Sequence, residues 1–487
     1  MSKSGIDEII NEFVAPATKI LSDFIFYAVP IGGVDVPLVV AWLVLGGLFC
    51  TFYFRVLTFK SLKHTFYLLR GDFTKPENKG QISHFSALTT ALSGTVGVGN
   101  IGAVAILVTL GGPGAVFWMI VGGLLGASIK FTECVLGVKY RNENPDDTVS
   151  GGPMYYLEKG LAQHNQPRLG KFIGSLYASA MVVGCLGIGN MFQSNQAYVQ
   201  FVTVTGQADS FFADKGWLIG IILALIVGFV IIGGIQSIAR VTSRLVPLMA
   251  GIYVTSSLIV IAMNAEKVPQ ALSDIVTQAF DPRAMSGGVL AVLVLGFKRA
   301  VFSNEAGIGS ASIAHSAVKT NEPITEGLVG LLEPLIDTVF ICTLTALVIL
   351  TTVYDPSSAS SGTMGGVEYT SSAFESQISW FPYVLSIAVI LFALSTMIAW
   401  AYYGRKGATY LFGESPLVKQ SFNVFFCIFI FFGCTVELKA VLDFSDAIIF
   451  VMVVPNLLGL YFMAPVVKRE MKSYFARLAS GEIKSNR

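Results

Sequence analysis

Uncharged, mostly apolar runs close to twenty residues long recur along this chain, as at 36–54 and 245–264. A bilayer core of ~30 Å takes about 20 helical residues to cross. Every backbone polar group inside it must be satisfied within the segment, which favours helices. The runs therefore imply an all-α polytopic membrane protein. Charge agrees: 13% of the 487 residues are Asp, Glu, Lys or Arg, about half of what a water-soluble surface carries. Spans are read near 36–54, 86–109, 113–136, 172–202, 217–238, 245–264, 286–314, 327–352, 380–403, 420–436 and 446–467, about eleven transmembrane helices. The net charge of +1 and the lack of a basic domain argue against a nucleic-acid partner. The six cysteines show no CxxC pair and read as small buried hydrophobes.

Lys and Arg fix an expected orientation through the positive-inside rule. With the N-terminus outside, the inner segments 55–82, 139–172, 236–244, 315–326, 404–419 and 468–487 hold 23 of the 32 basic residues. The outer segments hold 6, and Lys130, Lys298 and Arg299 lie within spans. The C-terminus is then cytoplasmic. Residues 1–35 carry Asp7, Glu8, Glu12 and Asp23 and lack the basic start of a secretory signal. They read as an extracytoplasmic segment with an amphipathic helix near 6–27.

Two stretches share a pattern: SGTVGVGN at 93–100 and SNEAGIGS at 303–310. Each opens a set of five expected spans. An odd number per set inverts the second set relative to the first, the arrangement of inverted-repeat transporters, whose interrupted helices mark the binding place. The expected organisation is 36–82 as an extra helix and cytoplasmic loop, 83–265 and 285–467 as the two repeats, 266–284 as an outer connector, and 468–487 as a cytoplasmic tail.

Gly94, Gly97, Gly99 and Gly102 in one span point to local unwinding, since glycine is poor inside a helix. Unwound backbone at membrane depth lines a cavity or is buried in protein. Its carbonyls suit a cation and the following helix start suits a carboxylate; close packing of small residues is the alternative. GxGxxG at 97–102 follows no strand and is not a dinucleotide site. Lys298, Arg299 and Glu305 surround the second break and call for a gating or structural ion pair there, with direct contact to substrate as the alternative. Lys130 and Glu133 are expected to pair with each other, and Glu333 and Asp337 to face either the interior or the membrane edge. Among Asn190, Gln193, Asn195 and Gln196, Gln193 is the preferred ligand contact. The hydroxyls of Ser395 and Thr396 suit a hard cation or bond back to their own helix. Phe302 and Trp400 either floor a small pocket or simply pack. No HExxH, GxSxG or phosphate-binding GxxxxGK[ST] motif is present, so neither an enzyme nor an ATP-driven pump is expected.

The ordered stretches ALSGTVGVGNI (91–101), GGPGAVFWM (111–119), SGGPMYY (150–156), GNM (189–191), ARVTSRLVP (239–247), VFSNEAGIGSA (301–311), LFALST (391–396) and PNL (455–457) resemble the alanine or glycine:cation symporters. The resemblance implies a leucine-transporter-like fold of five plus five inverted helices after one extra helix. It implies uptake of alanine or glycine coupled to Na⁺ or H⁺, with no organic cofactor, in a bacterial inner membrane. Thr95, Gly97, Gly99, Asn100, Gln193, Phe302, Gly307, Thr396 and Trp400 would hold the amino acid. Ser395 and Thr396, with backbone carbonyls near Leu92 and Thr95, would hold sodium. Gly102, Ala103 and Ala300 depart from the family's pattern beside the breaks and bear on pocket size. A transporter of another small solute, or a channel with a continuous pore, is the rival reading.

Overall fold

A computed structural model describes residues 19–75, 77–144, 148–281, 288–355, 366–435 and 438–486. The charged start of the expected amphipathic helix, including Asp7, Glu8 and Glu12, lies outside them. Described residues 19–25 are helical and partly or wholly exposed. A hairpin then pairs β1 (Ala28–Ile31) with β2 (Val34–Pro37), Ile31 opposite Val34. Pro37 ends the strand and leads into α1 (Leu38–Phe54).

Most of the remaining helices follow the apolar runs. The set begins with α2 (Phe59–Leu69), α3 (His84–Thr95), α4 (Gly99–Lys139), α5 (Pro153–Gln163), α6 (Pro167–Val204), α7 (Gly216–Ile231) and α8 (Gly234–Met263). After α9 (Val268–Gln278) come α10 (Gly288–Asn304), α11 (Ala311–His315), α12 (Pro323–Thr352), α13 (Val367–Glu375), α14 (Phe381–Phe412), α15 (Pro416–Gly433) and α16 (Leu438–Ala479). Local chemistry sets the starts. Ser83 and Ser415 accept from the N–H groups of Ser86 and Val418, and proline stands in the first turn of α5, α6 and α15.

Among the described residues, seven helices are long and apolar enough to cross a membrane, α4, α6, α8, α12, α14, α15 and the run 442–479 of α16; α1 and α7 are shorter apolar helices. The outer surface is greasy where water would demand charge: Leu225 and Phe229 of α7 are 69% and 85% exposed. α4 bends at Gly112, immediately before Pro113, where the sequence predicts a boundary between two spans. Short helices α2, α5, α9 and α13 fill stretches expected to lie between spans. Between α4 and α5, strands β3 (Asn142–Glu143) and β4 (Val149–Ser150) pair. Beside them Arg141 donates to the carbonyls of Lys79, Ser316, Val318 and Thr320. That one guanidinium ties the connection after α4 to the segments before α3 and after α11.

Candidate functional site

Both expected helix breaks are present. α3 stops at Thr95, Val96 is extended, and α4 begins at Gly99. α10 stops at Asn304, and the chain turns through positive φ at Glu305, Gly307 and Gly309 before α11. Three π-helical turns stand beside them: Gly99–Ala103 in α4, Gly187–Met191 in α6 and Leu335–Cys342 in α12. Such turns insert one extra residue per turn and gather at functional sites. Here they carry Asn100, Gly189 and Asp337 inward.

The freed backbone of the first break is met by side chains. Gly97 N–H donates to Asn100 Oδ1 at 2.8 Å and Val98 N–H to Gln193 Oε1 at 3.3 Å. Gly97 is where three elements converge, because a Cβ there would lie 2.6 Å from Thr396 Oγ1 and 3.3 Å from Gln193 Oε1. Thr396 Oγ1 is buried with no hydrogen-bond partner among the described residues. Gly99 faces the Phe302 ring, which meets Phe192 edge-on at 5.3 Å. Thr95 Oγ1 points back along its own helix to Ala91 and Leu92 at 3.4 Å. Trp400 lies on Gly189 and donates its indole N–H to Glu305 Oε1 at 2.9 Å. It is thus a polar tie to the second break as well as a packing surface.

Thr95, Gly97, Gly99, Asn100, Gln193, Phe302, Thr396 and Trp400 are all brought to the first break. Gly307 is not. Its N–H donates to Glu133 Oε1, its carbonyl accepts from Asn456, and its open side faces Leu43 of α1. Of the expected cation ligands, Ser395 Oγ bonds back to Phe392 O at 2.9 Å, and its carbonyl takes the Ser93 hydroxyl at 2.6 Å. Leu92 O accepts Val96 N–H. Thr396 alone of the two hydroxyls has no partner.

Asp337 is the residue whose part sequence reading missed. Its carboxylate accepts from Asn100 Nδ2 at 2.5 Å, Ser303 Oγ at 2.7 Å and Thr338 Oγ1 at 2.7 Å. It is fully buried and forms no ion pair among the described residues. Asn100 and Ser303 come from the two breaks, so Asp337 joins them. The signal available in sequence was an acid inside an apolar run, and one face of an irregular helix cannot be assigned without its π turn.

Three charge pairings need correction. Lys298 and Arg299 pair with Asp446 of α16, at 2.8 and 3.6 Å, and not with Glu305. The positive-φ turn at Glu305 carries its carboxylate to Trp400 and Ser310 instead. Lys130 meets Glu333 at 3.3 Å rather than Glu133, which Asn456 and Gly307 hold on the other side. Glu333 and Asp337 both face the interior. Asn190, Asn195 and Gln196 bond to α15 and α13 backbone and act as glue between helices. A cavity of about 580 Å³ opens between α14 and α15, lined by Gln81, Arg405, Lys406, Glu414 and Asn423. It touches none of the break residues.

With this geometry in view, comparison with known proteins is informative. The model of the sodium:alanine symporter family matches residues 26–487. The sodium/alanine symporter AgcS of Methanococcus maripaludis is 37% identical over 412 residues, covering 84% of this chain and 88% of that protein. The probable sodium/glutamine symporter GlnT of Bacillus subtilis is 32% identical over 438 residues, 90% of this chain and 87% of that one. Among solved structures, MhsT in complex with L-phenylalanine superposes with a TM-score of 0.55 at 15% identity, over 80% of this chain and 98% of its own. That likeness establishes the leucine-transporter-like fold.

Proposed function

The chain belongs to the sodium:alanine symporter family, membrane transporters and not enzymes, and from that premise we propose that it carries alanine or glycine inward together with Na⁺ by alternating access. The observation that carries the reading is Asp337: a buried carboxylate that forms no ion pair among the described residues, linked through Asn100 and Ser303 to both helix breaks. An uncompensated charge inside a membrane protein costs several kcal/mol, and a monovalent cation beside it offsets that cost. Thr396, with its partnerless hydroxyl, and the start of α4 then meet a zwitterion's two charges without an arginine. Supporting a small side chain is the close approach of Thr396, Gln193 and Phe302 to Gly97 and Gly99, which favours alanine and glycine over glutamine. Na⁺ entry contributes ~2.3 kcal/mol per 100 mV.

The same reading takes 83–265 and 285–467 as inverted repeats, with the N-terminus outside and the C-terminus in the cytoplasm of a bacterial cell. The Lys and Arg asymmetry supports it.

Radiolabelled uptake into proteoliposomes with imposed Na⁺ or H⁺ gradients is the test. Alanine and glycine should accumulate with Na⁺, glutamine little, and Asp337→Asn should lose the Na⁺ dependence. Asn100→Ala and Gln193→Ala should each weaken alanine binding by about 1.5 kcal/mol, roughly tenfold, with expression unchanged. Uptake indifferent to Na⁺ rejects the coupling, and unchanged affinity in both variants rejects the pocket.

A further inference from the structure

A chain of titratable side chains, unused by the transport reading, runs through the end of the bundle that carries α11. His84, the first residue of α3, hydrogen-bonds Glu326 of α12 through Nδ1. The other Glu326 oxygen lies 2.5 Å from His315 Nδ1, and His315 Nε2 lies 2.7 Å from Glu333 Oε1. Glu333 Oε2 then meets Lys130 Nζ at 3.3 Å. All five are buried at 2% exposure or less.

Stereochemistry sets the proton count. An ionised carboxyl only accepts, and a neutral imidazole has one N–H and one bare nitrogen. Two ring nitrogens, each facing a carboxylate oxygen at hydrogen-bond distance, need two hydrogens, and neutral His315 brings one. A bare nitrogen in either place would set lone pair against lone pair. With a second ring proton, His315 and Lys130 together balance Glu326 and Glu333.

The surrounding groups do not supply that proton. Glu133 and Cys134 of α4, Glu305 of the break, Tyr403 of α14 and Arg141 lie in the field of the cluster. Glu133 is turned to Asn456 and Gly307, Glu305 to Trp400 and Ser310, and Arg141 to four carbonyls. Cys134 Sγ, His315 and Glu333 lie within 4.8 Å of one another. Both ring nitrogens already face carboxylates, so a metal there would have to displace one of these bonds.

We propose that His315, held between Glu326 and Glu333, is a proton-binding site, and that its proton is exchanged with the cytoplasm when α3 parts from α12. The bond broken is N–H at His315 Nδ1; the electron pair stays on the ring and the proton passes to bulk water. Bound, the proton joins α11 to α12, which His84 in turn joins to α3. Released, it leaves His315 and Glu326 repelling. Loss of the proton therefore loosens the Glu326 carboxylate against which α3 closes through His84, so that release and inward opening favour each other. This site is additional to the coupling ion, touches no ligand, and is read as cytoplasmic on the orientation given above.

The chain has four histidines, His64, His84, His164 and His315, so ring ¹⁵N resonances of histidine-labelled protein in lipid nanodiscs can be assigned from His64→Gln, His84→Gln and His164→Gln. At about pH 8.5, some two units above the ordinary histidine value, His315 should remain doubly protonated. A neutral His315 ring at that pH overturns the site. In proteoliposomes at fixed external pH, raising internal pH from about 6.5 to about 8.5, which brackets ordinary histidine titration, should raise the initial uptake rate severalfold. His84→Gln should flatten that response. A wild-type rate that stays level or falls overturns the release step. Absence of any uptake would reject the transport reading instead, and the ring spectrum would still decide the proton site.

Discussion

Glu414 lies in the turn between α14 and α15, where Lys406 and Lys419 approach it at 3.1 and 2.9 Å. Burial by itself would raise this carboxyl. The Lys406 charge, then hydrogen bonds from Lys419, Lys406 and Ser150, overcome it and hold the value near about 2 against an ordinary 4.5. A depressed carboxyl stabilises the fold above its unfolded value and stops doing so as pH falls through its folded value. Glu414→Gln should therefore lower the Tm at neutral pH. The gap from wild type should close as pH falls from about 4.5 toward about 2, followed by scanning fluorimetry in detergent. A gap that persists at the acid end would assign the loss to packing. Asn100 shows what a single residue contributes elsewhere: its carbonyl caps Gly97 while its amide reaches Asp337 and Ser303, so one side chain spans both breaks.

At the scale of elements, the three π turns and two breaks make one apparatus. The π turn of α6 leaves Gly189 against the indole, where a Cβ would stand 2.1 Å from Trp400 Cγ. Gly189→Ala must move the ring and strip Glu305 of its indole donor. Overpacking of this kind costs about 1–3 kcal/mol; uptake should fall by roughly tenfold or more with the protein still monodisperse. Wild-type uptake by the variant would show that the indole is free to move. Sequence patterning reaches the breaks, because glycine density and S-x-x-x-G-x-G mark them directly. It does not reach the π turns, since one surplus residue leaves no compositional trace, and every face assignment beyond such a turn slips by about 100°, one residue's share of 3.6 per turn. Asp337 was hidden for that reason. The wrong partners given to Lys298, Arg299 and Lys130 have another origin: proximity in sequence was taken for proximity in space, while the acids that meet them come from α16 and α12.

Across the whole molecule, two largely buried charge clusters flank the breaks. On one side Asp446 takes Lys298 and Arg299, and the Arg299 guanidinium lies 5.5 Å from the Phe302 ring centroid. On the other stand the His315 chain and the Arg141 tie. Breaking a buried pair by removing one partner costs about 3–5 kcal/mol. Asp446→Asn should lower the Tm by several degrees and leave the His315 ring spectrum unaltered, since the two clusters share no side chain. A Tm equal to wild type would show that the Asp446 cluster carries no stability.

Close packing around Gly97 has a further meaning for a protein that sits in a sheet of lipid. With Thr396, Gln193 and the aromatic rings already in contact there, admitting even a methyl-sized solute pushes helices apart in the plane of the membrane. Work is then done against the lateral pressure of the surrounding acyl chains. Affinity becomes a joint property of the chain and the elasticity of the bilayer that holds it.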